Sequence, residues 1–122
     1  MMHTPIRLLI CTDDSERQLA LQEFAENHPD VAGFRLVESW AEAIRQSGRY
    51  ELIFVESHLL PSAEALKQVP PQVSVFLLAD DPNDCRRFRG SLVHGCLMTP
   101  ISFEAFQWTI RSMQPIYAEE TA

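Results

Sequence analysis

The sequence predicts an α/β fold, a doubly wound parallel sheet with helices on both faces. Three observations predict it. Short, nearly continuous apolar runs alternate five times with segments of helical periodicity. The runs are bounded by turn residues and lack the in-out alternation of a half-exposed sheet, as strands buried on both faces do. At 122 residues the chain has the length of one domain, with 46% hydrophobic and 22% charged residues, as a globular protein requires.

The first strand is IRLLIC, residues 6–11. Thr12, Asp13, Asp14 and Ser15 follow, with Ser15 the N-cap candidate of a helix. Ala20, Leu21, Phe24 and Ala25 recur at helical spacing up to His28, where Pro29 and Asp30 break the pattern. A weaker second strand covers 34–37. Ser39 and Glu42 have the spacing of a capping box, which opens a short helix ending near Gly48. LIFV, residues 52–55, is the third strand. Pro61 and Ser62 begin a third helix whose apolar face is Ala65, Leu66 and Val69, stopped by Pro70 and Pro71. VSVFLL, residues 73–78, is the fourth strand, followed by the polar loop 80–84. A short fourth helix is expected over 84–89, broken by Gly90. The fifth strand spans 95–98. Ser102 caps a last helix with Phe103, Phe106, Ile110 and Met113 on one face.

Charge and cysteines narrow the function. Ten Lys and Arg stand against 17 Asp and Glu, a formal net charge of −7. That balance excludes a uniformly basic nucleic-acid surface. No apolar run approaches the roughly 20 residues that span a bilayer, and the first residues lack the apolar stretch of a secretory signal. Cys11, Cys85 and Cys96 are an odd, scattered three without a CxxC. Structural disulfides and a cysteine zinc site are therefore disfavoured, and a cytoplasmic location is expected. In parallel sheets of this kind, sites form beyond the carboxyl ends of the strands. Those ends carry Asp13, Asp14, Glu56, Asp80 and Asp81, so the acid is expected to gather on one rim.

The order of elements, with IRLLICTDDSE, YELIFVES followed by Pro61, SVFLLADD and CLMTPISFEAF, resembles the receiver domain of two-component response regulators. The resemblance covers residues 6–114, leaving 115–122 as a tail or the start of a linker to an output domain outside this sequence. It implies the flavodoxin-like (βα)5 architecture with strand order 2-1-3-4-5. It also implies phosphoryl transfer from a histidine kinase onto an Asp, with Mg²⁺ and a cation stabilising the oxygens.

The residues present depart from that pattern. Asp13 and its neighbour Asp14 match the acidic positions after strand one. If Thr12 holds the first of those positions, one of the two usual acids is missing. YELIFVE places Glu56 at the phospho-acceptor, whereas alignment on Pro61 places Ser57 there. Ala79 stands at the Ser/Thr position and Thr99 at the Lys position, while Cys96 or Leu97 holds the aromatic switch position. A Glu carboxylate lies one methylene further out than Asp, and a misplacement of about 1 Å costs on the order of a hundredfold in rate. Without the Lys or a metal, the clustered carboxylates should raise at least one pKa.

The resemblance therefore implies a degenerate pseudo-receiver: no enzyme, acting in signal transduction through protein contact and independently of phosphorylation. The alternative is a residual Mg²⁺-dependent phospho-acceptor using Glu56 or Ser57. Glu56 is expected to be a polar strand end near solvent rather than a mimic of a phosphorylated Asp. Asp13, Asp14 and Glu56 are the candidate Mg²⁺ ligands, though no cofactor is required. Trp108 and Arg111 lie off the apolar stripe of the last helix. They form either an interface anchor or a Trp folded back over the core. The partner is a signalling protein, the chain's own output domain or a second copy, with no direct contact to nucleic acid or membrane. Arg86, Arg87 and Arg89 are read as a solvated face, and His58 as having no catalytic role.

Overall fold

The computed structural model describes residues 5–113. Five parallel strands form one sheet: β1 Ile6–Cys11, β2 Val31–Val37, β3 Leu52–Glu56, β4 Ser74–Ala79 and β5 Gly95–Met98. Their order is β2-β1-β3-β4-β5. Among the described residues three α-helices connect strands, α1 Ser15–Glu26, α2 Trp40–Gln46 and α3 Pro82–Arg87, and a fourth, α4 Phe103–Ser112, follows β5, while β3 and β4 are joined through 3-10 turns. The flavodoxin-like order expected from the sequence is therefore present. The tail at 115–122 lies outside the described residues.

Alternation along each strand divides the core in two, because successive side chains point to opposite faces. Leu9, Cys11, Ile53, Val55, Val75 and Leu77 pack beneath α2, with Trp40 and Ala43 from that helix. Leu8, Ile10, Leu52, Phe54, Phe76 and Leu78 pack on the other face against Leu21 of α1 and Phe106 and Ile110 of α4. The parallel registers Cys11↔Val55, Glu56↔Leu78 and Ala79↔Met98 bring the carboxyl ends of four strands to one edge.

Five local expectations change. Asp14, rather than Ser15, caps α1, its carboxylate accepting from the Arg17 N–H at 3.0 Å. β2 begins three residues earlier than its apolar pattern, since pairing with β1 at Ile6↔Val31 recruits the residues before Phe34. The segment after Pro61 is a 3-10 helix, Ala63–Gln68, squeezed between prolines that prevent a longer α-helix. Leu66 of that segment is still buried. β4 is displaced by one residue, beginning at Ser74 and ending at Ala79. α3 starts at Pro82 rather than Asp84, because Asp81 caps it and proline is favoured in a first turn.

A larger correction concerns the cysteines. Cys85 and Cys96 form a disulfide, with Cα atoms 5.8 Å apart, and Cys11 is the free, buried one. Spacing along the chain did not reveal the pair. The reversal after α3, with Gly90 at φ 81, brings the chain back to β5, and pairing of β5 on β4 sets Cys96 beside Cys85. The expectation that disulfides are disfavoured is overturned, and with it the support it lent to a cytoplasmic location. Among the described residues no helix is long and apolar enough to cross a membrane.

Two positions give sharp expectations. A Cβ on Gly95 would lie 2.6 Å from Cε2 of Phe76, a ring held in the core at 5% exposure. Gly95→Ala should therefore destabilise by about 1–3 kcal/mol through overpacking, read as a lower urea midpoint at unchanged slope.

His28 is buried, its ring tilted against Phe103 and edge-on to Phe106, while its Nδ1 accepts from the Asp30 N–H at 3.1 Å. Burial, opposed by Asp30 and aided by Arg111, pushes its pKa below the ordinary value of 6.5. The unfolded chain then binds a proton that the folded one refuses. The stability contribution is fully present above that ordinary value and is lost as pH falls from it towards the depressed one. Urea midpoints measured downward from neutral pH should fall less steeply for His28→Phe than for the natural chain.

Candidate functional site

The carboxyl edge of the sheet is organised by a residue that the sequence did not single out, Arg17. Thr12 directly follows β1, fully buried, and its hydroxyl accepts from the Asp14 N–H at 3.1 Å. That bond and the Asp14 cap fix the first turn of α1, so Arg17 leaves the helix directed across the strand ends. Its guanidinium Nη1 donates to Oε1 of Glu56 at 2.5 Å. Nη2 donates to Oδ1 of Asp80 and, at 3.2 Å, to the Thr99 hydroxyl. One side chain thus joins α1 to the residues at or just past the ends of β3, β4 and β5.

Glu56 is 1% exposed. Its second oxygen accepts from the Thr12 hydroxyl at 2.7 Å. The expectation of a strand end near solvent is corrected: the carboxylate is buried, and a charge buried in this way needs a partner. Thr12 and Arg17 supply it. The cation absent from position 99 enters from the opposite direction, on α1. The signal for it in the sequence was weak but physical. A cation in the first turn of a helix opposes the helix dipole, so Arg17 in SER is placed for something other than the helix.

Asp80 is held below the usual carboxylate range, first by the hydrogen bond from Thr99 and then by the charge of Arg17. Arg17 is itself raised, chiefly by its bond to Glu56. The raised carboxylate expected from the loss of the Lys is not found at Asp80, because the Thr99 hydroxyl donates to it and the Arg17 guanidinium adds a positive charge.

The other residues separate. Asp13 Oδ1 lies 2.9 Å from Nε2 of His58, on the exposed outer side. Asp14 is spent on the helix cap and Asp81 on the cap of α3. Asp13 is therefore engaged with His58, Asp14 with the Arg17 backbone N–H, and Glu56 with the Arg17 guanidinium and the Thr12 hydroxyl. Among the described residues no group of three or more His, Cys, Asp or Glu is arranged to hold a metal ion. A hard cation needs several free oxygens converging on one point, and this donor set does not offer them as arranged.

Ser57 is buried at the start of a 3-10 turn, and its backbone carbonyl accepts from Arg87 at 3.4 Å. Ala79 is buried and its carbonyl accepts from the Thr99 N–H at 2.9 Å. Thr99 precedes a cis peptide to Pro100 and donates its hydroxyl to Asp80. Of the two residues at the switch position of the resemblance, Cys96 is in the disulfide and Leu97 packs on the core.

Trp108 on α4 is 63% exposed, and Arg111 is exposed one turn on. The Trp does not fold back over the core. Arg87 lies over the Phe88 ring at 4.7 Å, and Arg86 bonds Asn83 at 2.9 Å, so this basic run is partly engaged locally.

Comparison with known proteins yields the fold. No family model matches, and no curated protein matches. Solved structures do. The receiver domain of Ssk1 from Saccharomyces cerevisiae, crystallised with the histidine phosphotransfer protein Ypd1, superposes with a TM-score of 0.75 at 22% identity. It covers 93% of this chain and 91% of that one. A CheY-like receiver domain from Methylobacillus flagellatus gives 0.74 at 18% identity, covering 90% and 99%. The receiver domain of the sensor kinase PA1611 from Pseudomonas aeruginosa, with magnesium in its active-site cleft, gives 0.73 at 16%, covering 90% and 98%.

Proposed function

We propose that this chain is a receiver-fold signalling module without a phospho-switch, acting by protein–protein contact rather than as an enzyme. One observation carries the proposal. The guanidinium of Arg17 is seated on Glu56, one of the two positions the receiver resemblance gives for the acceptor, and on Asp80 just past the end of β4.

Phosphoryl transfer needs an acceptor oxygen with a free lone pair in line with the leaving group. Hydrogen bonds from Arg17 and Thr12, one to each oxygen of Glu56, fix that carboxylate's orientation and draw off its charge, so its remaining lone pairs are neither free to turn in line nor strongly nucleophilic. The site also lacks a Ser/Thr hydroxyl at Ala79 that could follow a phosphoryl group. In effect the chain carries its own neutralised anion, fixed in one state. The Ssk1 receiver was crystallised on a protein partner. That supports contact as the mode of action of this fold, and the exposed Trp108 with Arg111 is an aromatic and cationic pair suited to anchoring one.

The test is incubation of the chain with Mg²⁺ and acetyl phosphate, followed by intact mass. The mass is expected to stay unchanged. A covalent phosphoryl group mapped to Glu56 or Ser57 would overturn the proposal and leave a phospho-accepting receiver in its place.

A further inference from the structure

The segment from α3 to β5 is the part of the described fold least anchored by burial. α3 buries none of its six residues. Phe88, 1% exposed, fixes the chain just after the helix. Between there and β5 lie Gly90, in the left-handed region, and Leu92, 59% exposed. β5 itself has four residues, none of them fully buried. Regions with so few buried apolar contacts open locally at low cost. What ties α3 to β5 is the Cys85–Cys96 bond.

That bond is within reach of a reductant. Both cysteines are only partly buried, and they line an open cavity of about 490 Å³ on this face. Arg86 and Arg89 line the same cavity. Positive groups favour a thiolate over a thiol, both as attacking and as leaving sulfur. Cys11 is the opposite case. It is fully buried at the end of β1, and burial, with Glu42, Asp13 and Glu56 nearby, pushes its thiol up to about 12.

We infer that Cys85–Cys96 is a reversible thiol–disulfide exchange site for a dithiol reductant, and that its reduction releases α3 from β5 while the rest of the sheet and the Arg17 site stay intact. A dithiol's thiolate attacks one of the two sulfurs, forming a mixed disulfide and expelling the other cysteine as a thiolate. The dithiol's second sulfur, deprotonated in turn, displaces the first. Two electrons pass to the protein, and the dithiol leaves as its own disulfide. The two protons it gives up end on Cys85 and Cys96. None of Arg17, Glu56 and Asp80 takes part, so this site stands or falls apart from the proposed loss of the phospho-switch.

The experiment uses the full chain in a series of dithiothreitol redox buffers. Free thiols are trapped with N-ethylmaleimide and counted by mass, and hydrogen exchange is followed by peptide in parallel. Two labels are expected to appear together, on Cys85 and Cys96, with Cys11 unlabelled until the chain is denatured. In the same buffers, exchange across residues 82–98 should rise roughly tenfold or more, with α1, β1 and β3 unchanged. Three results would overturn the inference. The cysteines could stay unpaired in oxidising buffer. Reduction could leave exchange over 82–98 as it was. Protection could also be lost across the whole chain at once, which would make the bond a structural staple.

Discussion

Arg17→Ala should lower the stability of this domain by about 3 kcal/mol, because it leaves the carboxylate of Glu56 buried without its charge partner. Breaking a buried pair by removing one partner costs about 3–5 kcal/mol, since the remaining ion has lost both its Coulombic offset and its hydration. The lower end applies here. The Arg17 side chain is 22% exposed, so truncation lets water approach the vacated position. The Thr12 hydroxyl also remains as a donor to Glu56. Thermal unfolding should shift downward by roughly 10 °C.

Two companions separate the charge from the packing. Arg17→Lys restores a cation but not a planar fork that can reach Glu56, Asp80 and Thr99 together, so it should recover only part of the loss. Arg17→Met combined with Glu56→Leu removes both charges and should recover most of it, as buried pairs replaced by apolar residues usually do. A loss under about 1 kcal/mol for Arg17→Ala would class the pair with exposed salt bridges and remove its structural importance.

Phe106→Ala should cost as much or more, about 3–5 kcal/mol, for a reason unconnected with charge. Phe106 is fully buried where α4 meets the sheet and α1. Its ring lies 5.6 Å from that of Phe24 on α1 and 5.9 Å from that of Phe54 on β3. It also lies 6.1 Å from His28, in the turn between α1 and β2. Removing it opens a cavity that three separate elements would have to collapse to fill, and backbone already fixed by the sheet resists that. Phe106→Leu keeps much of the volume and should cost under about 2 kcal/mol. Chemical denaturation at unchanged slope checks both. Equal losses for Leu and Ala would show that the site repacks freely.

Much of the fold was legible because each signal was local. The run IRLLIC gave β1 its bounds, and the stripe of Phe106 and Ile110 behind Ser102 gave α4. Asp81 and Pro82 read correctly as a stop after β4, yet they also start α3, which is why that helix was placed two residues late.

The site was less legible, because its decisive contacts span 39 and 63 residues of sequence. The absence of a Lys at Thr99 is visible in the sequence, but its replacement by a guanidinium from α1 is not. Glu56 was placed at the strand end correctly and its environment wrongly, since an acid followed by polar residues reads as solvated until the opposing helix is in place. The Cys85–Cys96 pair was missed for the same reason: the turn that joins them depends on tertiary pairing of β5 with β4.

On the function proposed here, the place a phosphoryl group would take is already held by the Arg17 ion pairs with Glu56 and Asp80. Beryllofluoride with Mg²⁺, a non-covalent mimic of a phosphoryl group on a carboxylate, probes that position without requiring a chemical step. Backbone amide spectra of the natural chain, recorded with and without the mimic, should superimpose at Glu56, Ala79, Asp80 and Thr99. Saturable shifts centred on those four residues would contradict the claim, because they would show that Arg17 yields the site to a phosphoryl-like anion.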